Sequence, residues 1–145
     1  MRASGFALLF AFAVPAAWAL DYRSIGEPAV LYDAPSAKAG KVLVAARQTP
    51  VELVVSNPDG WSKVRDARGA MAWIETRLLV PRRTLLVRTD KAQVRTQADD
   101  KAPLAFEAEK DVVLDLSAVG PPGWVKVRHR DGQDGFVRVN QVWGL

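Results

Sequence analysis

Gly60-Trp61-Ser62-Lys63-Val64-Arg65 and Gly123-Trp124-Val125-Lys126-Val127-Arg128 are two versions of one phrase set 63 residues apart. Each is followed at the same distance by a glycine, Gly69 or Gly132. Sliding residues 22–79 along by 63 positions lays them on residues 85–142 without a gap. Ala29 with Ala92, Lys38 with Lys101, Ala45 with Ala108, Leu53 with Leu116 and Pro58 with Pro121 fall into the same register. A match of this extent reads as the tandem duplication of a whole module, and function is to be sought in a small repeated unit.

Within each module apolar residues alternate in short runs, Val51, Leu53, Val55 in the first and Val112, Leu114, Leu116 in the second, separated by Gly, Pro, Asn and Asp. A period of two is that of strands. Asn57-Pro58-Asp59-Gly60 carries Asn, Pro and Gly where a type I turn wants them, because Pro presets the first central dihedral and Gly relieves the exit. Asp131-Gly132 supplies a second hairpin, between Val125-Lys126-Val127 and Phe136-Val137-Arg138-Val139, with Arg68-Gly69 as its counterpart. The expected fold class is all-β, with five or six short strands in each module. A unit of about 60 residues buries only roughly 60% of its surface and is marginal alone.

The expected boundaries are 20–80 for the first module, 81–83 for a linker and 84–145 for the second. The join Val80-Pro81-Arg82-Arg83 is short and stiffened by Pro81. Two modules packed as a semi-rigid pair are therefore expected, against a competing picture of two independent beads.

Residues 1–19 combine a cation at Arg2, an apolar stretch from Phe6 to Val14 and the small-x-small signature Ala17-Trp18-Ala19. These are the three parts of a secretory signal peptide, with cleavage expected after Ala19. The stretch is shorter than the roughly 20 residues of a spanning helix, so a retained anchor is the weaker alternative and no span is expected in the mature chain. Cysteine is absent, which excludes disulfides, thiol nucleophiles and thiolate ligands. The expected location is periplasmic or secreted. Removal of Arg2 leaves 19 basic against 16 acidic side chains, spread over both modules. That balance lacks the cationic cluster that nucleic-acid binding needs.

Val94-Arg95-Thr96-Gln97-Ala98-Asp99, an apolar strand, Gly123-Trp124-Val125-Lys126-Val127 and then Gly135-Phe136-Val137 follow one another in the second module. The pattern resembles the bacterial Src-homology-3-like (SH3-like) domain, whose repeat reads Val-Arg, a small-residue turn, Gly-Trp-x-x-Val and Gly-Trp-Val. The first module shows it through Leu31-Tyr32-Asp33-Ala34-Pro35-Ser36, Gly60-Trp61-Ser62-Lys63-Val64 and Ala72-Trp73-Ile74. Leu31-Tyr32 stands for Val-Arg in the first copy, Ala72 for its second Gly, and Ala98 where the first copy has Pro35. The resemblance implies two tandem small SH3-like β-barrels that bind peptides, often cell-wall peptide, in a family that often targets attached hydrolases.

Tyr32, Trp61, Trp73, Trp124 and Phe136 are the aromatic candidates for a shallow groove, where flat rings supply contact area at small entropic cost. The alternative places them in the core, above all Trp61 and Trp124, each directly after a turn glycine. Trp143 is expected to close a barrel or seal the interface between modules. Lys63 and Arg65 alternate with Val64, as Lys126 and Arg128 do with Val127, so buried valines put these cations on a solvent face. They are candidates for carboxylates of a ligand, or a solvated face that blunts edge pairing.

A single histidine, His129, cannot build a triad or a zinc site. Asp131-Gly132-Gln133-Asp134-Gly135 lacks the ligand spacing of a calcium loop and reads as a turn. No metal, cofactor or catalytic residue is expected. The expected function is non-enzymatic recognition of cell-wall peptide or peptidoglycan. The alternative is an adaptor that docks another envelope protein, and oligomeric state stays open.

Overall fold

The structure, a computed structural model, describes residues 20–145. The expected signal segment and its cleavage after Ala19 lie outside the described residues. The first module has strands β1 (Tyr22–Ile25), β2 (Ala29–Tyr32), β3 (Lys41–Ala45), β4 (Pro50–Ser56), β5 (Trp61–Arg65), β6 (Met71–Glu75) and β7 (Leu79–Val80). The second has β8 (Thr84–Val87), β9 (Lys91–Arg95), β10 (Leu104–Glu109), β11 (Val113–Val119), β12 (Trp124–Arg128), β13 (Asp134–Arg138) and β14 (Val142–Trp143). Each forms a seven-stranded antiparallel sheet, in the orders β3-β2-β6-β5-β4-β1-β7 and β10-β9-β13-β12-β11-β8-β14. The strand count exceeds the expected five or six because β7 and β14 have two residues each, too few to show a period.

One core cluster in the first module runs from Ala45 of β3, at one end of the sheet order, through Leu31, Ile74, Val64, Val51 and Ile25, and Leu79 of β7, at the other end, packs against it. A sheet whose two ends share a core must curl around it, so each module is a small barrel. The second core repeats the arrangement with Val87, Val94, Ala108, Leu114, Val127 and Val137. Asn57 stabilises the β4–β5 turn as expected: its Oδ1 accepts from the Asp59 and Trp61 N–H groups, both at 3.0 Å. Gly60 and Gly132 sit at φ +89° and +96°, the left-handed region that the two hairpins demand.

Two details differ from the sequence reading. Arg23 faces Val51 and Leu85 faces Leu114, so the first strands of the copies are offset by 62 while the fourth are offset by 63. One extra residue therefore lies between β8 and β9, and the gapless match fails at its first strand. The alternation through Val51, Leu53 and Val55 also breaks, because a bulge falls between Leu53 and Val55. Val51 is buried, Leu53 half-buried, and Val55 is 49% exposed. Val112 precedes β11 instead of opening it.

The modules meet through β1, β8, the start of β4 and β14. Ser24 and Thr84 are both buried, with their hydroxyls 2.8 Å apart. Ser24 Oγ lies 2.6 Å from the Arg82 carbonyl and Thr84 Oγ1 lies 2.7 Å from the Gln48 carbonyl. Each hydroxyl has a single proton, so two of these three contacts are hydrogen bonds at any one time, and both hydroxyls have a carbonyl to which they can donate. Trp143 meets Tyr22 edge to face at 5.3 Å, sealing the junction, and the Arg83 guanidinium lies over the Tyr22 ring at 5.4 Å. Arg83 also donates to the Gly144 carbonyl at 2.7 Å.

Thr84→Val strips a buried hydroxyl from this junction and is expected to cost about 1–3 kcal/mol in urea unfolding. Ser62→Val in the first barrel is expected to cost under about 1 kcal/mol, because its partners Ser56 and Thr76 reach solvent and its twin is already Val125. The departure at Ala72 has a steric reading as well. A Cβ on its twin Gly135 would lie 2.5 Å from the Arg95 carbonyl oxygen and 2.8 Å from Val94 Cγ1. Gly135→Ala is thus expected to destabilise by about 1–3 kcal/mol in the same measurement.

Candidate functional site

Ser62, Val64, Ala72 and Ile74 are buried, so the residues that alternate with them on β5 and β6 face outward. Tyr32 faces Trp73 across β2–β6, and Trp73 faces Lys63 across β5–β6. Cross-strand partners share a side of the sheet, which gathers Tyr32, Lys63 and Trp73 on one face with Trp61 and Arg65 of β5. Tyr32 meets Trp61 edge to face at 5.7 Å and 82°. All five are half-buried, with their backs on the barrel and their outer surfaces in solvent.

The charges on this face are not equivalent. Arg65 is held by Glu52 at 3.0 Å, and Glu75 by Arg77 at 2.6 Å. Lys63 has no carboxylate within 4.0 Å among the described residues, which leaves its ammonium unpaired on this face. The arrangement suits an extended chain that lays flat groups on the rings and one carboxylate on Lys63.

The second module presents the same positions with different chemistry. Arg95 replaces Tyr32 and is tied to the Ala102 carbonyl at 2.7 Å and to Gln93 at 3.0 Å. Arg138 replaces Glu75 and lies over the Trp124 ring at 4.4 Å. It is anchored there by Asp100, with Nε to Oδ1 at 3.1 Å and a second bond from Nη2 to Oδ2. Trp124 is left 5% exposed. A Cβ on Gly123 would meet Arg138 at 3.4 Å, whereas one on Gly60 would meet nothing within 4 Å. Phe136 is half-buried beneath Lys126, whose Nζ is 6.0 Å from the ring centre. Arg128, at the end of β12, also borders the cleft between the modules.

Two groups important to the contrast, Asp100 and Arg138, were not among the sequence candidates. Their 38-residue separation offers no motif; the only signal is Arg138 where the first copy has Glu75.

The family comparison agrees with the two barrels. A bacterial SH3 domain matches twice, over residues 26–81 and 88–144. The chain belongs to the bacterial SH3 domain family. Comparison with curated proteins finds no match. Among solved structures the chain is similar to NlpC2 from Trichomonas vaginalis, at 12% identity and a TM-score of 0.40, covering 88% of this chain and 49% of that one. It is also similar to an NlpC/P60 family protein from Bacillus cereus ATCC 10987, at 16% identity and a TM-score of 0.37, covering 84% and 55%. The chain spans about half the length of these structures.

The two SH3 domains thus carry one open aromatic face and one closed by an arginine clamp. Among the described residues no three His, Asp or Glu side chains are grouped to hold a metal, and no helix is long and apolar enough to cross a membrane.

The clamp has a pH signature. The hydrogen bond from Arg138, followed by weaker electrostatic contributions, holds the Asp100 carboxyl below its ordinary value of 3.8. A depressed folded pKa means that the clamp is complete at neutral pH and is lost as pH falls through that lowered value. Tryptophan emission is expected to shift red with a midpoint below 3.8. Asp100→Asn is expected to show the red-shifted emission already at neutral pH and to lack this transition.

Proposed function

We propose that this chain is an exported, non-catalytic binding protein whose first SH3 domain holds a cell-wall peptide in extended form. The observation that carries the reading is the open face of Tyr32, Trp61 and Trp73 around the unpaired Lys63. Three rings give a peptide flat contact area, and the ammonium supplies a partner for a carboxylate such as wall peptides carry. The second domain, with Trp124 beneath Arg138, serves as a structural companion on this face. Binding is accordingly expected to be monovalent there, without the avidity that two equal sites would bring.

Co-sedimentation of residues 20–145 with purified sacculi tests the reading, with each variant checked for folding by circular dichroism. Trp61→Ala and Tyr32→Ala are each expected to weaken binding by about tenfold or more, as interface aromatics do. Lys63→Ala is expected to lose about two- to fivefold, and more at low salt. Lys126→Ala in the second domain is expected to bind as the parent does. Equal sedimentation of the parent and the folded Trp61 and Tyr32 variants, or none above a matched control, overturns the proposal.

A further inference from the structure

Glu52 and Arg65 face each other across β4–β5 and form an ion pair at 3.0 Å. Their equivalents, Asp115 and Arg128, face each other in the same register across β11–β12. The pair does not form. Asp115 is one methylene shorter, and Arg82 from the linker takes both its oxygens, at 3.0 and 2.8 Å. Arg128 is left without an ion pair among the described residues and is one of the residues that line a cleft of about 310 Å³ between the two domains.

Arg47, from the β3–β4 turn of the first domain, and Arg130 of the second line the same cleft. Neither they nor Arg128 has a carboxylate within 4.0 Å among the described residues. Of the acids nearby, Asp115 is engaged by Arg82 and Asp111 by Arg68 at 3.7 Å, while Asp134 faces Arg128 across β12–β13 without forming an ion pair. Asp131 Oδ1 lies 3.0 Å from His129 Nδ1, a charge pair only when the imidazole is protonated, and accepts from the Gln133 N–H. Three arginines, drawn from both domains, thus line one opening without an ion-pair partner among the described residues.

An aliphatic slot of about 360 Å³ adjoins this opening, sharing Ala46, Asp111 and Val113 with it. Leu43, Val44 and Pro50 form its wall on the first domain, Leu86 and Val113 form the wall on the second, and Asp66, Arg68 and Asp111 also line it. Strand β3 is the free edge of its sheet, with Val44 74% exposed, so an extended backbone can lie along it.

We propose that this junction is a second binding site, for an acidic peptide segment in extended form. Its carboxylates face Arg47, Arg128 and Arg130, and an aliphatic side chain enters the slot. The slot walls carry no ring on which a base could stack, which disfavours a nucleic acid. A small oxyanion leaves the apolar half unused. The site is distinct from the aromatic face and exists only while the domains are docked, because each contributes part of both halves.

Fluorescence polarisation of a labelled Glu-Leu-Glu-Glu peptide with residues 20–145 tests the proposal. Gln-Leu-Gln-Gln serves as the neutral match, Glu-Gly-Glu-Glu as the match without an aliphatic group, and tripolyphosphate as a bare oxyanion. The acidic aliphatic peptide is expected to bind more tightly than either match. Arg47→Ala, Arg128→Ala and Arg130→Ala are each expected to weaken it about two- to fivefold, and the triple variant about tenfold or more. Arg82→Ala frees Asp115 to pair with Arg128 and is expected to weaken binding although Arg82 does not line the cleft. Trp61→Ala is expected to change nothing, which separates failure here from failure of wall binding. Equal affinity for the acidic and neutral peptides, or full affinity in the folded triple variant, overturns the proposal. Equal affinity for the Leu and Gly peptides, with tripolyphosphate displacing both, marks a bare anion site and overturns the peptide assignment.

Discussion

Ser24 and Thr84 hold the two domains at one relative placement, with their buried hydroxyls 2.8 Å apart and each beside a carbonyl of another segment. Inside an apolar junction an unpartnered hydroxyl is costly, so these contacts are satisfied only when β1, β8 and the linker meet in one register. The surrounding packing depends on that placement. Tyr22 and Trp143 close one side of it, and Arg83 spans from the Tyr22 ring to the Gly144 carbonyl. Burial is the main cause that raises the Tyr22 phenol above its ordinary 10.0, with Glu52 adding to it, so the ring stays neutral at the interface at physiological pH. The same docking brings Arg82 to Asp115, and that contact decides which arginines the cleft displays.

Duplication copied the barrels and left their outer faces free to diverge. Inward positions kept apolar residues: Leu31 with Val94, Val51 with Leu114, Val64 with Val127 and Ile74 with Val137. A tight barrel core admits little else. Outward positions carry no such demand, and there Tyr32 answers to Arg95 and Glu75 to Arg138. Those two exchanges convert an open aromatic face into one covered by a guanidinium. Even within the core the copies are not interchangeable, since Ala72 fits where a side chain on Gly135 would strike a carbonyl.

Much of the fold was legible because its signals are local. Strand alternation, the Asn57–Gly60 turn and the glycine at each hairpin are short-range rules, and the repeat let each copy check the other. The faults lay where a local rule meets an irregularity. The bulge after Leu53 interrupts the period of two, and the extra residue between β8 and β9 hides behind neighbours that still match by eye. For the site, alternation put Trp61, Lys63 and Arg65 on one face of β5. That β2 lies beside β6 came only from sheet order, and with it the meeting of Tyr32 with Trp61 and Trp73.

The chain by itself thus determined two all-β copies of one module, their turns, and the alternation that divides core from surface, since each is written in neighbouring residues or in the repeat. The tertiary structure decided which copy stays open and which cations stay unpaired. Arg138 finds Asp100 from 38 residues away, and Arg82 finds Asp115 from 33. Ion pairs at such separations depend on where strands and linker come to rest, and no period or spacing in a sequence encodes that.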